Sequence, residues 1–323
     1  MRKNVLTEKS RCAIIDLPNL FYKEYAMDYV LLLCATLSFT LQFIFLNLYQ
    51  SRVRQTLFSG LFFLMLAHLV GAVLLFLLNG CRLALTPFSV IVAVCYTVIV
   101  VLQGLMSLKT LSYGNLAIYS MFMMLGGMML PFFYGVIFLR EEATPFRILG
   151  LCLMSACILL KSLGKKSEEK NGGGYLFLCF VVFFLSGMNS VVSKFHQTGG
   201  EAAADTASFL VLTALFTALS AGTVCLFAWL RGKKAGEGPS ADGVFTGRTI
   251  LLAVALGASI YGGTYLNLIA ALTLPASVQY PIVSGGVIVL SAVAGKLVFR
   301  DTLTRREILA IAGTFLSTFL FAL

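Results

Sequence analysis

Charge is the scarcest commodity in this sequence. Asp, Glu, Lys and Arg make up 12% of its 323 residues, against about 25% in soluble domains. Residues 249–295 carry no charge at all. No carboxylate falls in the middle of an apolar run: Asp28, Glu141, Glu142, Asp205 and Asp301 all stand at run ends. The usual intramembrane proton or cation site, a carboxylate inside a span, is therefore missing from the first apolar run, although coupling through another group stays open. The 8 cysteines form no CxxC pair and lie mostly within apolar runs. They read as small packing residues and supply neither a disulfide framework nor a zinc site. The 2 histidines, His68 and His196, have no metal-ligand spacing. No nucleophile–base pair, metal cluster or phosphate-cradling loop is legible, so neither an enzyme nor a cofactor is expected. Residues 1–26 lack the apolar core of a cleavable signal, and Met27 is a candidate alternative start.

What the chain has instead is apolar length. Hydrophobic residues make up 59%, with a mean hydropathy of +0.92. Runs of about 18 or more uncharged residues are candidate membrane helices, and they must be helical because lipid offers the backbone no hydrogen bonds. The net charge of +10 sits between these runs, where Lys and Arg meet lipid headgroups; nucleic acid is not an expected partner. Ten segments are predicted, at about 29–48, 57–78, 87–108, 114–139, 146–163, 175–194, 206–230, 249–272, 275–299 and 306–323. Pro275 divides the last long uncharged run. The charged, glycine-rich stretch 165–174 is the best linker, and residues 231–248 form a second glycine-rich loop. The expected organisation is an N-terminal extension (1–26), a five-helix repeat (27–164), the linker (165–174) and a second five-helix repeat (175–323).

The halves match in detail. Gln42 and Asn47 to Gln50 in segment one align with Asn189 and Lys194 to Gln197 in segment six, at a constant offset of 147. Tyr119, Gly126-Gly127 and Arg140-Glu141-Glu142 recur as Tyr280, Gly285-Gly286 and Arg300-Asp301 about 160 residues later. Five spans per half is odd, so the second half enters from the opposite side. The predicted fold is thus an all-α polytopic membrane protein of ten transmembrane helices in two inverted five-helix repeats. That arrangement recurs in secondary transporters, with the substrate site near midplane where the repeats meet.

Two copies of one hairpin carry a family resemblance. One is Tyr280-Pro281, Gly285-Gly286 and Phe299 to Thr304, then Ala312-Gly313; the other is Tyr119-Ser120, Gly126-Gly127 and Phe138 to Thr144, then Gly150. The chain resembles the EamA-like ten-helix branch of the drug/metabolite transporter superfamily over about 27–323. It departs from the pattern in having Arg, not glycine, before the acid. The resemblance implies a ten-helix bundle in a bacterial inner (plasma) membrane. It also implies a cavity lined by helices one, three, four, six, eight and nine, and alternating-access transport of small metabolites. Neutral, zwitterionic or amino-acid-like solutes suit a cavity of amides, hydroxyls and aromatics. A multidrug or organic-cation exporter and a nucleotide-sugar or sugar-phosphate carrier are the alternatives.

Gln42 and Asn189, the repeat-related amides, serve either as interhelical hydrogen bonds of about 0.6–2 kcal/mol each or as paired substrate contacts. Gln103 on helix three, Tyr261 and Tyr265 on helix eight, and Tyr119, Gln279 and Tyr280 at the openings of helices four and nine complete the candidate substrate site. Interface anchoring is the other reading of the aromatics. Gly126, Gly127, Gly285 and Gly286 are packing points or hinges. His68 reads as a satisfied structural histidine and His196 as interfacial. Lys109, Lys194 and Lys296 snorkel to headgroups or capture an anion. Glu141, Glu142 and Asp301 are expected to pair with Arg140, Arg300 and their neighbours. Termini inside would leave 9 of the 24 Lys and Arg inside and 15 outside. The positive-inside rule therefore favours termini outside, whereas the family resemblance implies termini inside.

Overall fold

The computed structural model describes residues 6–53, 56–113, 116–162, 173–234, 246–298 and 304–322. Among them run ten α-helices, one 3-10 turn (Gly200–Ala202) and no strand. The helices are α1 (Leu6–Gln50), α2 (Leu57–Leu78), α3 (Pro87–Tyr113), α4 (Leu116–Phe138), α5 (Pro145–Ser162), α6 (Gly173–Gln197), α7 (Thr206–Lys234), α8 (Gly247–Ala270), α9 (Ala276–Val298) and α10 (Arg305–Ala322). Each predicted segment falls on one helix. The largest difference is α1, which begins within the expected N-terminal extension. Arg300-Asp301, most of the 165–174 linker, residues 235–245 and Gly114 lie outside the described residues. Stretches long and apolar enough to cross a membrane occur in seven helices among the described residues: α1, α2, α3, α6, α7, α8 and α9. α4 and α5 contribute the shorter apolar stretches Phe122–Phe138 and Pro145–Leu160.

Helix starts follow local chemistry. The first turn of a helix leaves N–H groups unpaired, and a preceding Thr or Asp side chain accepts from one of them. Thr56, Thr86, Thr144, Asp205, Thr246 and Thr304 each accept from the N–H three residues on. At Thr304 the box is reciprocal, with the Thr304 N–H donating to Glu307 Oε2 at 2.9 Å. α4 stops differently. Arg140 takes φ 55°, the left-handed conformation that glycine adopts without strain. Glu141 N–H then closes onto the Gly135 carbonyl at 3.0 Å.

Packing brings the halves together. α1 packs on α8 and α9, α2 on α7 and α8, α3 on α6 and α7, and α4 on α6 and α9; α10 packs on α5 and α9. One apolar cluster joins α2, α3, α7 and α8 around Phe209, Leu75 and Leu268. Another joins α4, α5, α9 and α10 around Met128, Met154 and Phe321. Outward faces stay apolar, with Leu77, Ile91, Phe138 and Leu297 more than 60% exposed, as lipid contact requires.

Glycines set the closest crossings. A methyl at Gly126 would run into the Phe183 backbone, and one at Gly187 into the Gly126 carbonyl and Leu130, so α4 and α6 touch backbone to backbone. Gly127 faces Ser186, Gly285 faces Thr318 and Met154, and Gly286 faces Thr36. All four predicted glycines therefore stand at helix–helix contacts.

Candidate functional site

A cleft of about 180 Å³ opens between α1, α4 and α9, lined by Thr40, Asn47, Met124 and Ser291, with Phe43, Ile44, Ala294 and Gly295 completing its wall. It offers two hydroxyls, one amide and apolar surface, and no charge. Gln42, between the lining residues Thr40 and Phe43 along α1, is half-buried and is not part of the lining. Asn47 was visible as a repeat position, and only the packing places it at the cleft.

The mid-span amide Asn189 finds a different partner from the one its symmetry suggests. Its Nδ2 donates to Gln103 Oε1, tying α6 to α3, while its own Oδ1 is buried without a hydrogen bond. One residue on, the Ser190 carbonyl accepts from Tyr280 Oη at 3.0 Å. Gln103, Asn189 and Tyr280 thus gather on α6, and Gln42 does not join them. Tyr119 donates to Ser107 Oγ at 2.8 Å across the α3–α4 junction. Gln279 is fully buried; its Nε2 donates to Asn267 Oδ1 and to the Asn267 carbonyl, 2.8 and 2.7 Å away.

The aromatics of α8 point elsewhere. Tyr261 and Tyr265 share a face, and that face joins the cluster formed with α2, α3 and α7. His68 Nδ1 lies 2.7 Å from Tyr261 Oη, which makes His68 a partnered structural histidine. His196 is buried, not interfacial. Its ring lies 3.8 Å from and nearly parallel to Phe209, and its Nε2 is 2.8 Å from Ser89 Oγ. This is a serine–histidine contact that the sequence did not reveal. Ser89 Oγ also accepts from Ala204 N–H and Thr86 Oγ1 and is fully buried, so the contact ties α3 to α6 in the interior.

At one end of the molecule, polar side chains from several elements tie to the α8–α9 turn. Lys194 does not snorkel: it is buried, and its Nζ donates to the Ala271 and Leu274 carbonyls at 2.5 and 3.1 Å. Glu141 reaches beyond its own turn to the start of α9, accepting Ala276 N–H and Ser277 N–H on its two oxygens at 2.8 Å each. Asp28 accepts from Thr273 Oγ1 at 2.7 Å, and Gln197 Nε2 donates to the Leu268 carbonyl at 2.6 Å. A cation at a helix C-terminus and an anion at an N-terminus satisfy both the unpaired backbone groups and the helix dipoles. Lys296 is exposed at its helix end, where snorkelling is the natural posture. At the same end, Asp205 caps α7. Burial alone would push its carboxyl up, but hydrogen bonds from Ser208 and Asn79 outweigh that and hold it below the ordinary carboxylate value. Among the described residues no three His, Cys, Asp or Glu side chains gather as a metal site.

No family model matches the chain, and no curated protein matches it in sequence. In fold it matches solved structures, 28 chains in all. One of them, named only "Crystal structure of protein", aligns with a TM-score of 0.71 at 15% identity, covering 91% of this chain and 96% of its own. At that identity the likeness shows a shared fold and nothing about activity.

Proposed function

We propose that this chain is a secondary transporter of the EamA-like drug/metabolite class, moving a small neutral or zwitterionic metabolite across a bacterial inner membrane by alternating access. The observation that carries the reading is the symmetry of the helix pairings. Exchange each helix with the one five places away, and every major pairing maps onto another: α1–α8 onto α3–α6, α1–α9 onto α4–α6, α2–α8 onto α3–α7, and α9–α10 onto α4–α5, while α2–α7, α4–α9 and α5–α10 map onto themselves. This symmetry supports the reading of two five-helix repeats about a common axis. It supports ten crossings, with α4, α5 and α10 completing the set. A cleft between α1, α4 and α9 that is open at one end and tied at the other fits a transporter resting in one of its two access states.

The lining favours uncharged or zwitterionic solutes. Thr40, Asn47 and Ser291 can pair with hydroxyl, amine or carboxyl groups, and a cleft of about 180 Å³ is below the ~300–1,000 Å³ typical of drug-sized ligand pockets. An anion carrier needs a free cation within the cavity, whereas Lys194 is committed to backbone carbonyls. The test is solute counterflow in proteoliposomes with a panel of neutral, zwitterionic, cationic and anionic metabolites. Saturable exchange of a neutral or zwitterionic solute, weakened by Asn47→Leu, is the expected result. Exchange of strongly anionic solutes alone, or an unaltered KM in Asn47→Leu, would overturn the assignment.

A further inference from the structure

The geometry points to Glu141 and Lys194 as the positioning pair that seals one end of the transport pathway, a role that rests on the transporter reading and goes beyond it. Four side chains from three separate elements converge on one short turn. Asp28 comes from α1, Glu141 from the α4–α5 connection, and Lys194 and Gln197 from α6; all reach the segment between Leu268 and Ser277. Most of these bonds end on backbone groups that the breaks in α8 and α9 leave unpaired, so the turn cannot move without losing them. Glu141 also lies within electrostatic reach of Lys194. Anion and cation therefore grip the start of α9 and the end of α8 as one unit.

The position of this seal gives it meaning. At the sealed end α1 is tied to the α8–α9 turn through Asp28 and Thr273, and packs on α9 through the cluster of Leu32, Val283 and Val287. The same two helices part at the other end, where Thr40 to Asn47 and Ser291 to Gly295 border the cleft. Within the sealed region, one turn into α9, lies Pro281, which cannot donate to the carbonyl four residues back and so weakens the helix there. Opening the sealed end requires α9 to leave Glu141 and α8 to leave Lys194. Three buried oxygens at that end, Gln197 Oε1, Ser277 Oγ and Gln279 Oε1, have no hydrogen bond. Each regains water on opening, which keeps the sealed arrangement from being a trap.

The test reads access directly. Ser277→Cys places a thiol at a fully buried position, and its reaction with a membrane-impermeant maleimide is followed by peptide mass spectrometry, which separates it from the 8 native cysteines. In the otherwise unaltered protein labelling is slow. Adding Glu141→Gln or Lys194→Met raises the rate about tenfold, a shift of ~1.4 kcal/mol in the opening equilibrium, while Lys194→Arg restores protection. Equal labelling in all backgrounds of folded, monodisperse protein overturns the assignment. So does failure of both Glu141→Gln and Lys194→Met to fold, which would make these ties part of the scaffold. Faster labelling without transport of any solute would leave the seal standing and remove the transporter reading instead.

Discussion

The same substitution, glycine to alanine, should have opposite signs at two positions in this bundle. At Gly126 the new methyl meets the Phe183 backbone, carbonyl oxygen included. A side-chain tip could rotate away, but a backbone oxygen moves only with its helix. Overpacking costs about 1–3 kcal/mol, and a rigid obstacle puts Gly126 at the upper end. Alanine recovers ~1 kcal/mol of helix propensity, so the net loss is about 2 kcal/mol. At Gly262, inside α8, nothing lies within 4 Å of the added methyl, and only the propensity gain of ~1 kcal/mol remains. Reversible SDS titration of both variants in lipid–detergent micelles measures the two signs. Gly187 refines the test, because its methyl would meet the Gly126 carbonyl from the other side of the same crossing. Once Gly126→Ala has separated α4 from α6, Gly187→Ala should cost less than it does alone, with a coupling of about 0.5–3 kcal/mol. Strict additivity, or a neutral Gly126→Ala, would refute the backbone-to-backbone crossing.

Three further outcomes are expected. Arg140→Gly relieves the left-handed backbone at φ 55° and should stabilise the protein by about 1 kcal/mol, whereas Arg140→Ala keeps the strain and gives no such gain; denaturant midpoints compare the two. Tyr261→Phe strands the half-buried His68 nitrogen and should cost about 1–3 kcal/mol, most of which returns when His68→Phe is added, as a double-mutant cycle would show. The folded-state carboxyl of Asp205 is depressed. Its contribution is therefore full above the unfolded value of about 3.9 and fades as pH falls through the lower folded value. The gap in unfolding temperature between the parent and Asp205→Asn should narrow as the pH falls below about 3.9; a gap that stays constant would discard Asp205 as the source.

Helix positions were legible in the sequence because the causes are local. An uncharged run of sufficient length has to pair its backbone within itself, and Thr or Asp at a run's start caps the helix wherever that helix packs. That is why segments 57–78 and 206–230 coincide with α2 and the body of α7. The repeat offsets are also properties of the string alone. What the string could not settle is where a polar group at a helix end, or at mid-span, finds its partner. Lys194 reads identically whether it reaches to headgroups or to the Ala271 carbonyl 77 residues away. Glu141 beside Arg140 suggests a local pair, yet it spends both oxygens on α9, 135 and 136 residues on. Asn189 lies across the repeat from Gln42 in sequence and bonds Gln103 in space. Composition and periodicity thus determined that the chain folds as a bundle of apolar helices, duplicated in pattern. Tertiary packing alone decided which charges tie to the α8–α9 turn, which amides meet and where the cleft opens, because those choices depend on backbone groups that distant helices leave unpaired.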